Sequence, residues 1–184
     1  MLMFALTGIV EPLIAQGYVD VNTVRGCSDR EVEALMSAQG VDTLPARYVE
    51  FLKFGGKNPY WLSQDGEWDF GWLLEVKEIA REIVVDDYEA DFTPFEDAFV
   101  FQTHQGYGFH YFKAGDLAEA DPTFSTFCGF RPIADSRLSF TAWLRDLAKA
   151  LPATVELVKS MYGAWKVPEL GPVPGWSGDG NPSR

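Results

Sequence analysis

Two histidines and two cysteines are the side chains of this chain best suited to nucleophilic or metal chemistry. They are His104, His110, Cys27 and Cys128, with no CxxC pair among them. A cysteine beside a histidine can act as a nucleophile pair, and the two residue types together can bind zinc. Zinc usually takes three or four ligands, and no tight ligand spacing is present. We therefore expect ordinary surface or sheet histidines and two free thiols, which are typical of a reducing compartment.

The carboxylates suggest two further kinds of site. Asp87-Tyr88-Glu89-Ala90-Asp91 begins like a calcium loop, but Phe92 stands where the turn needs glycine and Ala98 where the closing glutamate belongs. A glycosidase-like acid pair carries little information, because some pair is always close among 27 acidic residues. The sequence also lacks the GxxxxGK[ST], GxGxxG, GxSxG and HExxH motifs. We expect no catalytic residue, no cofactor and no metal.

Negative charge is concentrated in one segment. Between Asp65 and Asp97 there are twelve acidic residues against Lys77 and Arg81, a net charge of −10 within a chain of net charge −12. Such a field repels phosphate and attracts basic proteins, so the sequence favours a basic protein partner and disfavours nucleic acid. The alternative left open is that the acids only solvate one helix face.

Aromatic residues lie in or beside this acidic segment. Aromatic side chains surrounded by charge are typical of binding hot spots, although large aromatics also dominate cores. The predicted partner-binding residues are Asp86, Asp87, Glu89, Asp91, Trp61, Trp68, Trp72 and Tyr88.

Helices are predicted first along the chain. A short helix is expected over residues 9–16, and Ser28-Asp29-Arg30-Glu31 is a capping box that opens a second one, closed by Gly40. Leu44-Pro45 opens a third helix, which ends at Gly55-Gly56. A further one-sided helix has an apolar face and an acidic face. The apolar face consists of Val76, Ile79, Ala80, Ile83 and Val84, and the acidic face of Glu75, Glu78 and Glu82.

Strands follow the helices. Residues 98–103 and 107–113 alternate aromatic and other side chains around a short glycine-containing link, which predicts a β-hairpin. Residues 124–128 are a plausible third strand. A helix is expected from near Ser139, interrupted at Pro152 and followed by another. Helices, then a sheet, then helices indicate an α+β fold with an antiparallel sheet.

The two ends of the chain carry less information. Residues 167–184 are rich in proline and glycine, so we expect a flexible tail there, with Trp176 as a possible attachment to a single domain over residues 1–166. The first residues lack a basic n-region, and no run is long enough to span a membrane, so the expected location is the cytoplasm.

Two of these segments resemble motifs of the SUKH superfamily. Ser28 to Val32 with Leu35 resembles its S-x-x-E-V/I-x-x-L opening. Leu44 to Leu52 resembles its L-P-x-x-Y/F-x-x-F-L core helix, with Gly55-Gly56 near the family's glycine pair. The aromatic hairpin, Asp121-Pro122 before a strand, and Ala134-Asp135-Ser136 before the last helix are similar to the family in order and spacing, so that the resemblance covers residues 28–151.

The resemblance implies a compact α+β domain without catalytic residues. Bacterial members resemble immunity proteins that bind and neutralise a cognate toxin, often a nuclease or deaminase, and a fungal branch regulates cell-wall assembly. Two other hypotheses stay open. One is a small-molecule-binding or enzymatic domain on the same scaffold, with a pocket near His104, His110 and Cys128. The other is a regulatory scaffold with several partners, for which the tail is a linker or docking segment.

Overall fold

The computed structural model of this protein describes residues 6–129 and 131–176, and within them it confirms the α+β fold. A four-stranded antiparallel sheet in the order β1-β2-β3-β4 follows the N-terminal helices and precedes one long helix. The helices are α1 (Thr7–Ala15), α2 (Asp29–Gln39), α3 (Ala46–Phe51), α4 (Phe70–Leu73), α5 (Val76–Glu82) and α6 (Phe140–Tyr162). The strands are β1 (Phe99–His104), β2 (Gly108–Phe112), β3 (Thr123–Cys128) and β4 (Arg131–Ser139).

Local capping chemistry sets both ends of α2. The Glu31 amide donates to the Ser28 hydroxyl at 3.3 Å, and the Ser28 amide donates to the Glu31 carboxylate at 2.9 Å, which confirms the predicted capping box. Gly40 ends the helix at φ 69°, a left-handed conformation that glycine adopts without strain. Helix α3 follows Pro45 and runs into a π-helical turn over Leu52–Gly56.

The hairpin of β1 and β2 is confirmed, and it has a bulge that the sequence did not predict. The pairing of Val100 with Tyr111 is followed by that of Gln102 with His110, so Phe101 is the extra residue on β1. Strand β4 was also missed. It pairs with β3 from Cys128↔Arg131 to Thr123↔Ser139, and almost all of its side chains are exposed.

Aromatic rings fill the space on the two faces of the sheet. On one face the Tyr48 ring lies 5.1 Å from that of Phe140, and Phe101 stacks on Phe112 at 4.7 Å. On the other face Phe95 contacts three sheet rings at 5.2–5.5 Å, those of Phe109, Tyr111 and Phe127. Such edge-to-face contacts add to the stabilisation that burial of the rings provides.

Buried polar side chains bond the outer backbone edge of β1. Gln39, which is 2% exposed, accepts from the Val100 amide at 2.8 Å and donates to the Val100 carbonyl at 2.9 Å. Its amide nitrogen also donates to the Leu73 carbonyl at 3.3 Å. Further along, the backbones of Glu67 and Thr103 exchange two hydrogen bonds of 3.0 Å. The last residue of α2 and the backbone of Glu67 therefore take the place of a neighbouring strand at this edge.

The predicted interruption at Pro152 is wrong. Helix α6 is a single helix of 23 residues, and Pro152 lies inside it. A proline removes one backbone hydrogen bond from a helix. Leu151 and Val155 are both buried on the two sides of Pro152, so packing of the same helical face against the core offsets that loss.

Residues 164–176, named here the C-terminal strap, lie across the body without helix or strand. The Gln64 side chain donates to the Lys166 carbonyl and the Asn58 side chain to the Pro168 carbonyl, both at 2.8 Å. The Trp176 ring packs 5.3 Å from the ring of Phe70. The remainder of the predicted flexible tail, residues 177–184, lies outside the described residues.

We expect Gln39→Met, which keeps the side-chain volume, to lower the free energy of unfolding by about 2–4 kcal/mol. The substitution leaves the Val100 amide and carbonyl buried without their partners. Urea denaturation monitored by circular dichroism measures the change. The matched control is Gln16→Met at an exposed position, which we expect to change stability by less than about 0.5 kcal/mol. Equal stability of the two variants would contradict the role assigned to Gln39.

Candidate partner-binding surface

The predicted acidic contact residues lie on one continuous stretch of chain. Helix α5 buries Val76 and Ala80, and a π-helical turn over Ile83–Asp87 extends it. The acidic residues of this helix, its turn and the following loop point to solvent, and we name them the acidic surface. They are Glu78, Glu82, Asp86, Asp87, Glu89, Asp91, Glu96 and Asp97.

The two basic residues of this segment are partly withdrawn from solvent. Lys77 is 8% exposed, and its ammonium donates to the carbonyls of Phe95 at 3.1 Å and Glu96 at 3.0 Å, and also to that of Ala98. Burial lowers the pKa of Lys77 to about 8. The Arg81 guanidinium stacks 4.3 Å from the centre of the Phe92 ring. Lys77 therefore holds the chain together underneath. The Arg81 side chain is 43% exposed and lies 3.9 Å from the Glu78 carboxylate and 4.0 Å from that of Glu96, so it partly offsets these two acids, and the outward charge stays mostly negative.

The loop over residues 88–97 is anchored at several points. Asp91 accepts hydrogen bonds from the amide and hydroxyl of Thr93 at 3.0 and 2.8 Å, and these bonds lower the pKa of Asp91. Phe92 and Phe95 are buried under the loop. Glu89 has φ 50°, a conformation that non-glycine residues adopt rarely. The carboxylates are thus presented on a fixed backbone.

Two of the four predicted aromatic anchors are core residues. Trp61 and Trp68 are each 1% exposed, and their indole nitrogens donate to the carbonyls of Gly55 and Ser63. Trp68 also stacks on Phe51 at 5.4 Å. Neither side chain is accessible in this fold, so both drop out of the predicted partner surface.

The other two anchors remain accessible, in different places. Trp72 is 36% exposed and donates to the Thr103 hydroxyl at 2.9 Å, at the far end of β1. Tyr88 is partly buried against Phe127 at 5.7 Å, within the acidic loop. Burial, together with Cys128, Asp87 and Tyr107 nearby, raises the pKa of Tyr88. The structure therefore keeps Tyr88 with the acids and sets Trp72 apart.

Two exposed apolar residues beside the acids were not predicted. Val85 is 41% exposed on the π-helical turn, and Tyr107 is 40% exposed in the turn of the β1–β2 hairpin. In the sequence, Val85 follows directly after the buried Ile83 and Val84. In a helix that buries positions 83 and 84, position 85 points away from the core. Helical periodicity could therefore have indicated that Val85 is exposed.

The histidines and cysteines do not form a nucleophile pair. Gly108 pairs with His104 on one side and with Cys128 on the other, so these two residues are separated by two strand spacings, roughly 10 Å. His104 bonds Asp65 at 2.8 Å, and His110 bonds the Thr126 hydroxyl at 2.8 Å. Cys27 is buried, which raises the pKa of its thiol to about 12.

Metal centres and ligand cavities are the remaining types of site. Within residues 6–129 and 131–176, no three His, Cys, Asp or Glu side chains are placed to hold a metal ion. One cavity of about 720 Å³ lies between the C-terminal strap and the body, and another of about 310 Å³ lies between α1 and α6. Neither is lined by His104, His110 or Cys128.

No protein-family model, curated protein or solved structure matched this chain. The resemblance to the SUKH superfamily therefore stays a prediction that depends on motif order and spacing. Among the helices that the structure describes, none is long and apolar enough to cross a membrane.

His110 makes a pH-dependent contribution to stability. It lies between the rings of Phe124 at 5.1 Å and Trp143 at 6.0 Å, and this burial lowers its pKa from 6.5 to about 4. Between those two values the unfolded chain binds a proton that the folded chain does not, so stability falls as the pH is lowered.

We expect the wild-type protein to lose about 2 kcal/mol of stability through His110 between pH 7 and pH 5. His110→Gln should remove this part of the pH dependence, and His104→Gln should keep it. Urea midpoints measured from pH 7.5 to 4.5 test the assignment. An unchanged pH profile in His110→Gln would overturn it.

Proposed function

We propose that this chain is a non-enzymatic protein-binding domain of the SUKH immunity type, which neutralises a basic toxin of the nuclease or deaminase class. The single observation that carries the proposal is the acidic surface, whose negative charge is only partly offset by the segment's own cations. Lys77 is buried and Arg81 pairs with Glu78 and Glu96, so one exposed cation stands against eight exposed carboxylates.

Charge complementarity gives this surface a physical role in capture. A patch of one sign steers an oppositely charged partner during diffusion and raises the association rate by about 10- to 1000-fold at low salt. A nuclease or deaminase needs a basic surface to hold nucleic acid, and an acidic inhibitor that docks there excludes the substrate.

The anchoring of the loop supports tight binding as well as fast binding. Lys77 fixes the loop where it enters β1, and Phe92 and Phe95 fix it from below. A surface that is already ordered loses little conformational entropy when the partner docks. Tyr88, Val85 and Tyr107 are the apolar contacts offered beside the carboxylates.

The test is a pull-down from the source cells with the tagged protein, at about 0.05 M and about 0.5 M salt. We expect one basic partner, bound in stoichiometric amount at low salt and weakened at high salt. The triple variant Asp86→Asn, Asp87→Asn, Glu89→Gln should lower the partner's association rate by about tenfold. Asp91 is left unchanged, because it caps Thr93 and holds the loop.

The matched control changes the same number of charges elsewhere. Glu11→Gln, Glu33→Gln and Glu119→Gln lie at exposed positions on α1, on α2 and before β3, and should leave the association rate nearly unchanged. Two results would contradict the proposal. One is the capture of no partner at either salt concentration, and the other is an equal effect of the two triple variants.

A further inference from the structure

The C-terminal strap is held as a peptide ligand is held. The body contacts its backbone through two side-chain amides, with Gln64 donating to the carbonyl of residue 166 and Asn58 to that of residue 168. Side-chain amides that bond carbonyls two residues apart suit an extended chain. Prolines at 168, 172 and 174 favour extended backbone for the residues before them.

The strap also fits the body at two side-chain positions. A Cβ atom at Gly71 would lie 3.0 Å from Val173 Cγ2, so the glycine allows the valine to approach closely. At the end of the strap, Trp176 packs on Phe70, lies 5.7 Å from the Arg30 guanidinium, and donates to Glu31 Oε1 at 3.2 Å.

Glu31 joins this end of the strap to the fold. Its Oε1 also accepts from the Lys57 ammonium at 2.5 Å, and its Oε2 accepts from the Ser28 amide. Burial alone raises the pKa of Glu31, but the hydrogen bonds from Lys57 and Ser28 outweigh it and lower the pKa. The body therefore presents a preformed carboxylate to the indole.

The strap is attached through side chains and not through backbone pairing, with Trp165, Val167, Val173 and Trp176 packed partly buried against the core. Between residues 164–176 and the rest of the described chain, no backbone–backbone hydrogen bond is formed. The strap leaves a cavity of about 720 Å³ beneath it, lined in part by Arg25, Phe70 and Leu170. Asn58 Oδ1, buried beside this cavity, has no hydrogen-bond partner among the described residues. Because no backbone ladder has to break, the strap can leave the body without unfolding a helix or the sheet.

We propose that the body surface beneath the C-terminal strap, named here the groove, binds an extended, proline-containing segment of a partner protein. The strap occupies the groove in the free protein and competes with that segment. The partner segment has a proline, a small apolar residue and a tryptophan at the spacing of Pro168, Val173 and Trp176. Asn58 and Gln64 donate hydrogen bonds to its backbone, and its apolar residue packs against Gly71. Its indole packs on Phe70 and donates a hydrogen bond to Glu31. The groove is separate from the acidic surface, and its test is independent of the proposed function above.

The strap competes as a tethered ligand. A segment joined through a short linker competes at an effective concentration in the millimolar range. A free peptide therefore binds the wild-type chain poorly, and it binds well only when the resident strap is weakened.

The experiment uses the full-length chain with Trp176→Ala and a fluorescein-labelled peptide of residues 164–176, followed by fluorescence anisotropy. We expect saturable 1:1 binding, at least tenfold tighter to the variant than to the wild type. Adding Gln64→Ala to the variant should weaken binding about fivefold, because one of the two backbone contacts is lost. A peptide in which alanine replaces the tryptophan that corresponds to Trp176 should not bind, whereas the tryptophan that corresponds to Trp165 is kept.

Circular dichroism of the variant tests whether it is folded. If Trp176→Ala loses helical signal, Val173→Ser, which weakens only the contact at Gly71, takes its place with the same expected results. The absence of saturable binding to a folded variant overturns the proposal and leaves the strap as a fixed part of the domain. Equal affinity for the wild type and the variant also overturns it, because the peptide then binds elsewhere.

Discussion

The structure depends on hydrogen bonds to the outer backbone edge of β1, which is buried away from water. The outer backbone groups of β1 face helices, and a buried amide or carbonyl without a partner costs about as much as a lost hydrogen bond. Gln39 from α2 bonds both groups of Val100, and Lys77 from α5 bonds the carbonyls that lead into the strand. These two side chains fix the positions of α2 and α5 on the sheet. The bulge at Phe101 lies between Val100, which Gln39 bonds, and Thr103.

The same constraint shapes the charge of the surface. A lysine that bonds buried carbonyls lies beneath the acids around it, and of the two cations in this segment Arg81 alone reaches the exposed side, where it pairs with Glu78 and Glu96. The exposed side of α5 and of the following loop therefore carries more negative character than its composition alone implies. Lys77 therefore affects both the bonding of the chain that leads into β1 and the charge of the surface above it.

Local rules were enough for part of this fold. The capping box at Ser28 and Glu31 and the left-handed Gly40 depend only on neighbouring residues, and both were predicted from the sequence. Strand β4 was not, because its mostly exposed side chains show no alternation of apolar and polar types. Burial of Trp61 and Trp68, and the clamp by Gln39, depend on contacts distant in sequence. The acidic cluster was visible as composition, but the burial of Lys77 was not.

The two edges of the sheet differ in what they permit. Strand β1 is closed by the Gln39 side chain and by the backbone of Glu67, whereas β4 is an outer strand whose residues are largely exposed. Growth of the sheet by addition of another chain is therefore possible in one direction only. At that edge Pro132 offers no amide hydrogen, and Arg131, Asp135 and Arg137 place charge along the strand. Proline and charge at exposed edges are the usual means by which β proteins resist aggregation, and in this chain they are needed on one side alone.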